Sequence, residues 1–502
     1  MSTETKIGRF SISADKTVIG EVELSGPASR IVLRDEEFFF LERQPNQYIP
    51  GILYDQTKIT LIDCIQTSAV SHSVAGESAR SHSVALFPHF IVEGRAHIDP
   101  TKPVIRQISF TFDDASAVFY DFDAFGSVLD PVPFIDQIAN ANAGKFGRQI
   151  RTGPEPQIAY FAGRRLIFEA KTALGRIRIQ HCPSWTLGGP RGVRIDNKIW
   201  VTVVPDMPVT LDDATGRILA LLRFIALAAG RQQNLPAFVV DVGSGDEETS
   251  LKVHWSNHPR RLEDRAFDNR MPQPADLPFD PIRNPDQFEV VLRNWLAEDR
   301  CRQIARVRIR EAMALEELYT IDRLVGAANA FDLLPESAVP KRVDLSLEVA
   351  AAKSQCQSVF RKLPNSDERE SLLRALGRLG YASLKQKVRH RAKLICEKTD
   401  RLPDLDWVCD RAIECRNHFV HGSRFDFEIE SSSTNLSFLT NTLEFVFTVS
   451  ELVEAGWDIR RFFDTPTSMS HLFGAYRVRY IEDLRALRDS AKGVGTEGSK
   501  DA

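Results

Sequence analysis

The spacing of apolar residues differs between the two halves of this chain. Between about residues 7 and 255, short apolar or alternating runs are separated by turn residues, which is the pattern of β-strands. From about residue 288, apolar residues recur at three- and four-residue steps over long stretches, which is the pattern of helices with one buried face. The sequence therefore predicts an α+β protein, in which a β-rich amino-terminal half precedes an all-helical carboxy-terminal half.

The first half is expected to form a sandwich or barrel-like β-domain over residues 1–256. A helix is predicted over residues 212–231 and is expected to pack on the strands. A sandwich, a barrel and a strongly twisted sheet all fit, because strand spacing does not show which strands pair. The strands are predicted at residues 18–24, 30–32, 59–65, 84–92, 108–112, 117–120, 165–169, 198–204, 237–242 and 249–255.

A proline- and charge-rich stretch, residues 257–287, separates the two halves. Helices and central strands tolerate prolines poorly, so this stretch is expected to be a linker. Connecting helices are predicted over residues 288–340, a helical domain over 341–490, and a disordered tail rich in Gly, Lys and Glu over 491–502. The individual helices are predicted at residues 288–330, 345–361, 367–379, 384–397, 405–421, 436–455 and 459–473.

The composition is that of an ordinary globular protein. Of the 502 residues, 26% are charged and 43% are hydrophobic, and the formal net charge of -4 argues against a surface that coats nucleic acid all over. The seven cysteines include no C-x-x-C pair, which predicts reduced thiols in a cytoplasmic protein. The first residues lack the apolar core of a signal peptide, and the most apolar stretch, residues 218–229, is too short to cross a bilayer. No membrane contact is therefore expected.

The candidate chemistry lies in the stretch RNHFVHG, residues 416–422. It ends the helix predicted over residues 405–421, which Gly422 is expected to stop. On the side away from the apolar face, Asn417 and His421 are stacked one turn apart, and Arg416 lies beside them. Arg416 is expected to reach a group held by the other two once the last helical turn unwinds slightly.

An arginine, an amide and an imidazole on one helix end suit the cleavage of a phosphodiester bond in RNA. A histidine can exchange a proton near neutral pH, so His421 is the candidate general acid or base, an effect worth roughly 10²–10⁴ in rate. Arg416 is the candidate phosphate ligand, because a guanidinium stays charged and offers two parallel hydrogen bonds. Asn417 is expected to orient His421 or the phosphate. This mechanism requires no metal and no cofactor.

The bare spacing of an arginine and a histidine five residues later is weak evidence. Arg176 and His181 share it, but they lie in an alternating stretch that predicts a strand. A charged helix end that points into water is therefore the competing interpretation of the motif. The tetrapeptide Ser-His-Ser-Val, which contains His72 and is repeated around His82, is interpreted as a polar loop that leads into a strand, because no acidic or cysteine ligand supports a metal site there.

The run Arg-Asn-x-x-x-His at the end of an amphipathic helix, within an all-helical region, resembles the ribonuclease motif of HEPN domains. With a β-rich half before it, the layout resembles the ApeA family of bacterial anti-phage proteins. The resemblance implies that Arg416, Asn417 and His421 are the catalytic set of an endoribonuclease that acts in abortive infection. It also implies a homodimer through the helical domain, in which two motifs face each other and form one RNA site.

The resemblance further implies what the protein binds. Transfer RNA is the expected substrate, by analogy with related HEPN toxins. The amino-terminal domain is expected to sense a phage-derived trigger and to restrain the nuclease.

Other residues of the helical half are candidate accessory groups. On the motif helix these are His418, which has no fixed role in the HEPN pattern, and Glu414, which lies near enough to tune an imidazole. A basic run just before that helix is the candidate surface for the RNA backbone, against the alternative of a solvated helix face. Its members are Lys385, Lys387, Arg389, Arg391 and Lys393.

Two other classes of function are open at this stage. A non-catalytic HEPN scaffold or nucleotide-binding partner would not need the Arg-Asn-x-x-x-His combination. A carbohydrate- or peptide-binding β-domain joined to a helical oligomerisation module would make the motif incidental. Cleavage of RNA that depends on His421 separates an enzyme from both.

Overall fold

The computed structural model divides the chain into two compact units. The first contains residues 1–218, 234–259 and 279–286, and the second contains residues 219–233, 260–278 and 287–502. The described residues are 4–24, 28–39, 48–73, 80–147, 151–186, 190, 192–243, 248–256, 271–315, 318–341, 345–423 and 434–497.

The first unit is built on an antiparallel sheet of twelve strands, beside which β8 and β9 form a separate pair. The strands are β1 (Glu4–Ser11), β2 (Thr17–Leu24), β3 (Arg30–Asp35), β4 (Tyr48–Leu53), β5 (Lys58–Ser73), β6 (Arg80–Gly94), β7 (Ile105–Thr111), β8 (Phe125–Ser127), β9 (Ala159–Phe161), β10 (Leu166–Thr172), β11 (Gly175–Trp185), β12 (Ile195–Val204), β13 (Ala237–Val242) and β14 (Thr249–Trp255). Their order is β10-β11-β12-β7-β13-β14-β6-β3-β2-β1-β4-β5, and β5 also pairs with β6. The pairing of β5 with β6 closes β1–β6 into a six-stranded barrel, from which the other strands continue as an open sheet.

The barrel closes around the ring of Phe10, which is fully buried. Phe10 on β1 lies opposite Gly51 on β4, and a Cβ atom added at Gly51 or at Gly20 would lie 2.5 Å from the ring. Both positions therefore need glycine so that the ring can fill the interior of this small barrel. Aliphatic side chains complete its core, among them Val18, Val22, Ile31, Leu33, Ile59, Leu61, Val84, Leu86 and Ile91.

Most of the strands predicted from the sequence are present, and β13 and β14 have the predicted bounds. Residues 117–120 were expected to form a strand, but they overlap the short helix α1 (Ala115–Val118) instead. The apolar residues that indicated a strand form one helical turn instead, and this turn buries Ala117 and Val118. Helix α2 (Val132–Phe146) was not predicted, and none of its residues is buried.

Glu93 on β6 is the centre of an ion-pair cluster where the barrel meets the open sheet. Its carboxylate lies 3.2 Å from Lys6 Nζ, 3.3 Å from Lys252 Nζ and 3.0 Å from His254 Nε2. The hydrogen bond from His254, followed by the one from Lys6, lowers the pKa of Glu93 to about 2, although burial acts in the opposite direction. This carboxylate therefore stays ionised in the folded protein well into the acid range.

We expect acid to weaken the first unit through Glu93. Because the pKa of Glu93 is lower in the folded protein than in the unfolded chain, its ionised form stabilises the fold above pH 4.5. That contribution, up to about 3 kcal/mol, is lost as the pH falls from about 4.5 towards about 2. Glu93→Gln should therefore be less stable than the wild type at neutral pH and should lose less stability on acidification.

Urea unfolding at neutral and at acid pH measures this difference. Glu21→Gln is the control, because Glu21 lies in an exposed ion pair with Arg34 and should contribute little. An equal loss of stability on acidification in the wild type and in Glu93→Gln would contradict the prediction.

The second unit is a helical bundle. Its helices, with α3 shared between the two units, are α3 (Leu211–Ala229), α4 (Pro285–Ala297), α5 (Asp299–Met313), α6 (Ile321–Asp332), α7 (Leu347–Arg361), α8 (Asp367–Gly377), α9 (Leu384–Cys396), α10 (Leu405–His421), α11 (Thr434–Glu454), α12 (Ile459–Asp464) and α13 (Leu472–Glu497). Helix α11 is central, because α5, α6, α9, α10 and α13 all pack against it. Its length and composition would suit a membrane span, but 83% of its most apolar window is buried inside the fold.

The predicted helix over residues 212–231 is present as α3, but its role differs from the expectation. Residues 211–218 belong to the unit that contains the strands, and residues 219–233 belong to the second unit. Phe224 contacts Phe288 and Trp295, and Arg223 donates to Asp299 at 3.2 Å through Nε. The later part of α3 therefore supplies both apolar surface and a buried charge to the helical bundle.

Three predictions about the helical half were wrong. The single helix expected over residues 288–330 is three helices, α4, α5 and α6. The last begins just after Thr320, whose side chain caps it by accepting from Arg323 N. The helix expected over 459–473 is α12 followed by the start of α13. The tail expected to be disordered is helical to Glu497, because a helix already formed gains one hydrogen bond for each residue added. The last residues of that tail, and residues 257–270 of the predicted linker, lie outside the described residues.

Candidate active site

Helix α10 ends at the candidate motif, and its bounds are those predicted from the sequence. Val408 and Cys415 are buried on its inner face. Gly422 ends the helix in the left-handed conformation, with φ 66°, and its N–H donates to the carbonyl oxygen of His418 at 2.9 Å. The helix is therefore continuous to His421, and the slight unwinding expected from the sequence does not occur.

Arg416 joins the motif residues into one cluster. Its Nη1 donates to Asn417 Oδ1 at 3.1 Å and lies 3.1 Å from His421 Nε2. Its Nη2 donates to Oδ1 of Asn329, on α6, at 3.0 Å. Arg416 and Asn417 are half-buried and His421 is exposed, so the cluster lies at the protein surface and not in a packed interior.

The described hydrogen-bond partners of Arg416 are all uncharged. A guanidinium can only donate, so His421 Nε2 must be the acceptor and the imidazole carries its hydrogen on Nδ1. No carboxylate among the described residues lies within 4.0 Å of this guanidinium. Its Nε is buried and has no hydrogen-bond partner in the described part of the chain. A cation held only by neutral groups is suited to binding an anion such as a phosphate.

Comparison with known proteins identifies the family of this chain. The family model described as ApeA N-terminal domain 1 matches residues 7–295, which is more than half of the chain. The chain belongs to the ApeA family. A second model, described as Apea-like HEPN, matches residues 325–460 and therefore includes the whole Arg416 cluster. HEPN domains are generally nucleases, and the two matches together indicate an anti-phage family. No curated protein and no solved structure matches the chain.

The two matches are separated by residues 296–324, which follow the stretch that the sequence suggested as a linker. The ApeA match continues past residues 257–287 and ends inside α4. The HEPN match begins inside α6, four residues before Asn329. The HEPN match thus includes most of α6 as well as α7 to α11.

Asn329 is the member of the cluster that sequence analysis missed. It lies 87 positions before Arg416, on a helix whose periodicity resembles that of its neighbours. Asn329 is a polar residue between the buried Ala328 and Ala330, and this position was a weak local sign that its side chain binds a polar group. Only the packing of α6 against α10 shows what Asn329 contacts.

The two auxiliary candidates on α10 contact other groups. The Glu414 carboxylate lies 3.2 Å from Lys385 Nζ and 2.6 Å from Arg411 Nη2. His418 Nδ1 lies 2.7 Å from the carbonyl oxygen of Ser423, just beyond the helix end. Neither is joined to Arg416 by a described hydrogen bond, and their auxiliary roles stay predictions.

The basic run on α9 is neutralised along much of its length. Lys385 and Arg389 both pair with Asp410, and Lys387 pairs with Asp332 at 2.9 Å. The side chain of Lys393 is 71% exposed and lies 3.9 Å from its nearest described acid. These four residues can approach an RNA backbone, but three of them would have to exchange an acidic partner for a phosphate.

Arg391 was expected to bind RNA, and this prediction is wrong because its side chain is fully buried. Its guanidinium donates to Ser450 Oγ at 2.8 Å and also to Glu451 and Glu454 on α11. Burial on the inner face of α9 thus makes Arg391 part of the core of the HEPN domain.

The repeated histidines lie on strands, and the cysteines form no disulfide. His72 lies on β5 and His82 on β6 rather than in a loop, and His82 is buried, with Nδ1 2.7 Å from Ser71 Oγ. In the described ranges, no group of three or more His, Cys, Asp or Glu side chains is arranged to hold a metal ion. All seven cysteines are free, and burial raises the pKa of Cys64 and Cys415 to about 12.

A cavity of about 900 Å³ lies within the second unit. It is bordered by α11 and α13, through residues such as Asn441 and Tyr476. Arg416, His421 and Asn329 are not among its lining residues. The Arg416 cluster is therefore a surface site that is separate from this cavity.

Proposed function

We propose that this ApeA-family protein is a metal-independent endoribonuclease of anti-phage abortive infection. The Arg416 cluster carries the proposal, because a guanidinium is bonded to the His421 imidazole and to two amides without an acidic partner among the described residues. Such a cluster combines a phosphate ligand with a group that exchanges protons near neutral pH. The HEPN match supports the same activity.

In the proposed reaction, Arg416 exchanges partners when RNA binds. A phosphate of the RNA accepts hydrogen bonds from the guanidinium. Nε2 of His421 is then free to accept the proton of the adjacent ribose 2′-hydroxyl. The 2′-oxygen attacks the phosphorus, the bond from phosphorus to the 5′-oxygen breaks, and the 5′-oxygen takes up a proton. Arg416 stabilises the negative charge that builds on the phosphate, and Asn417 keeps the guanidinium beside the imidazole. The products are a 2′,3′-cyclic phosphate and a 5′-hydroxyl end.

We propose that two copies of the chain form the complete site. The reaction removes one proton from the 2′-oxygen and adds one to the 5′-oxygen, and a single Arg416 cluster contains one imidazole. In a homodimer through the HEPN domain, His421 of one copy accepts a proton while His421 of the second copy donates one. In this proposal the protein acts in the cytoplasm on RNA, with transfer RNA as the expected substrate. Its second partner is a phage-derived trigger, and binding of this trigger to the amino-terminal domain releases the nuclease.

Product chemistry tests the proposed function. Cells that express the protein are infected with phage, and total RNA is examined for new fragments with 2′,3′-cyclic phosphate ends. The protein purified from infected cells should produce the same ends in EDTA, and it should not cut next to a 2′-deoxy nucleotide. RNA profiles that are identical for the wild type and Arg416→Ala would favour the non-catalytic scaffold. Cleavage that requires a divalent metal ion would contradict the mechanism.

A further inference from the structure

Asn329 is held on a rigid element beside the Arg416 cluster. Its helix, α6, is anchored by Arg323, whose Nε and Nη2 each donate to a carboxylate oxygen of the buried Glu444 at 2.8 Å. Leu324 and Phe331 on the same helix are fully buried. The backbone of α6 therefore holds the amide of Asn329 in a fixed position beside Arg416. Asn417, in contrast, lies on the same helix as Arg416 and cannot anchor it to a second element.

The chemistry of the amide matters because it is neutral. An amide oxygen can fix the orientation of a guanidinium by one hydrogen bond without cancelling its charge. A carboxylate in the same place would form an ion pair with the guanidinium, and it would compete with an incoming phosphate for the positive charge. Arginines paired with carboxylates occur elsewhere in the helical unit, where Arg302, Arg306 and Arg323 each form an ion pair with a glutamate. Arg416 differs from these arginines in being held, within the described residues, by amides and an imidazole.

We infer that Asn329 is a positioning residue of the site, which holds the Arg416 guanidinium next to His421 while leaving its positive charge available to the RNA phosphate. This inference rests on the proposed function for its catalytic consequence. Asn329 acts through Arg416 and does not itself touch the reacting atoms. Its oxygen accepts from Nη2, so that Nη1 remains directed at Asn417 and His421.

The substitution Asn329→Asp tests this inference, because it keeps the size of the side chain and adds a negative charge. The matched control is Asn365→Asp. Asn365 Oδ1 also accepts from an arginine, Nη1 of Arg369 on α8, and Asn365 is exposed in the connection between α7 and α8. Both variants change the net charge by the same amount and place a carboxylate against a guanidinium.

We expect Asn329→Asp to fold with an unchanged or higher melting temperature and to lose RNA binding and cleavage. The affinity for a 2′-O-methyl RNA oligonucleotide, which cannot be cleaved, should fall about 10- to 100-fold, as expected when a charge-assisted contact with phosphate is lost. The kcat/KM for cleavage of unmodified RNA should fall by at least as much. Asn365→Asp should retain the wild-type affinity and rate.

A merely structural role for Asn329 predicts a different result. In that case Asn329→Asp, which strengthens the bond to Arg416, would keep wild-type binding and cleavage, and the inference would be wrong. Asn329→Ala provides a second measurement: it should lower kcat more than it weakens binding, because Arg416 keeps its charge but loses its fixed orientation.

The two hypotheses can fail separately. If the wild type purified from infected cells binds the oligonucleotide but cuts no RNA, the proposed nuclease function fails. The binding of Asn329→Asp then still tests whether Asn329 keeps Arg416 available to phosphate. If the wild type does not bind the oligonucleotide, both hypotheses are overturned. If the wild type cuts RNA and Asn329→Asp cuts it equally well, only the role of Asn329 is overturned.

Discussion

Replacing His421 with alanine is expected to lower the rate of RNA cleavage by roughly 10²–10⁴-fold, which is the contribution of a positioned acid or base. Arg416→Ala is expected to lower it by roughly 10²–10³-fold, because charge that builds on the phosphate then lacks its donor. The two variants should differ in binding. His421→Ala should retain affinity for the uncleavable 2′-O-methyl RNA, whereas Arg416→Ala should lose it, since only the second variant removes a phosphate ligand.

Two further variants sharpen this test. His418→Ala tests the auxiliary role predicted for this histidine, and it should lower the cleavage rate less than His421→Ala does, because His418 Nδ1 lies 2.7 Å from the carbonyl oxygen of Ser423. Arg416→Lys keeps the positive charge, but an ammonium cannot reproduce the planar donors that reach Asn417, His421 and Asn329 together. It should therefore bind RNA and cleave it slowly. A large loss of activity in His418→Ala with none in His421→Ala would show that the wrong imidazole has been assigned.

The second large effect is expected on stability. Glu451→Ala should reduce the free energy of unfolding of the helical unit by about 3–5 kcal/mol, the usual result of removing one partner from a buried ion pair. The Glu451 carboxylate, which is 2% exposed, accepts hydrogen bonds from Arg302, Arg306 and Arg391. Its removal leaves these three buried guanidiniums to share Glu454 and Asp299.

Urea unfolding followed by circular dichroism measures this effect. Glu397→Ala is the control, because Glu397 is exposed, 3.9 Å from Lys393, and should change stability by no more than about 0.5 kcal/mol. Glu451→Gln, which keeps the shape and one acceptor oxygen, should fall between the wild type and Glu451→Ala. A stability of Glu451→Ala within about 1 kcal/mol of the wild type would mean that water or neighbouring acids compensate the network.

Local signals predicted the elements that local interactions determine. Helix α10 has both predicted bounds, since its start, its apolar spacing and the glycine that ends it all lie within the segment itself. The same is true of β13 and β14. The predicted helix over residues 288–330 failed for a related reason, because apolar periodicity continues across the breaks between α4, α5 and α6 and does not reveal them.

The burial of Arg391 shows a signal that was present but misread. Val388, Arg391 and Ile395 are spaced three and four residues apart, so they share one face of α9, and all three are buried. The prediction that this run binds RNA considered the charge of its residues and not this periodicity. An arginine on an apolar face needs acidic partners from elsewhere in the chain, and Glu451 and Glu454 lie about 60 residues further on.

The sequence by itself determined the α+β class, the helical second half and the motif of Arg416, Asn417 and His421, because each depends on residues within a few turns of one another. The tertiary structure decided which arrangement the strands adopt, since the barrel is closed by the pairing of β5 with β6 and by the position of β4 beside β1. It also brought Asn329 to Arg416. Contacts of this kind join residues that are distant in the chain, and no local periodicity encodes them.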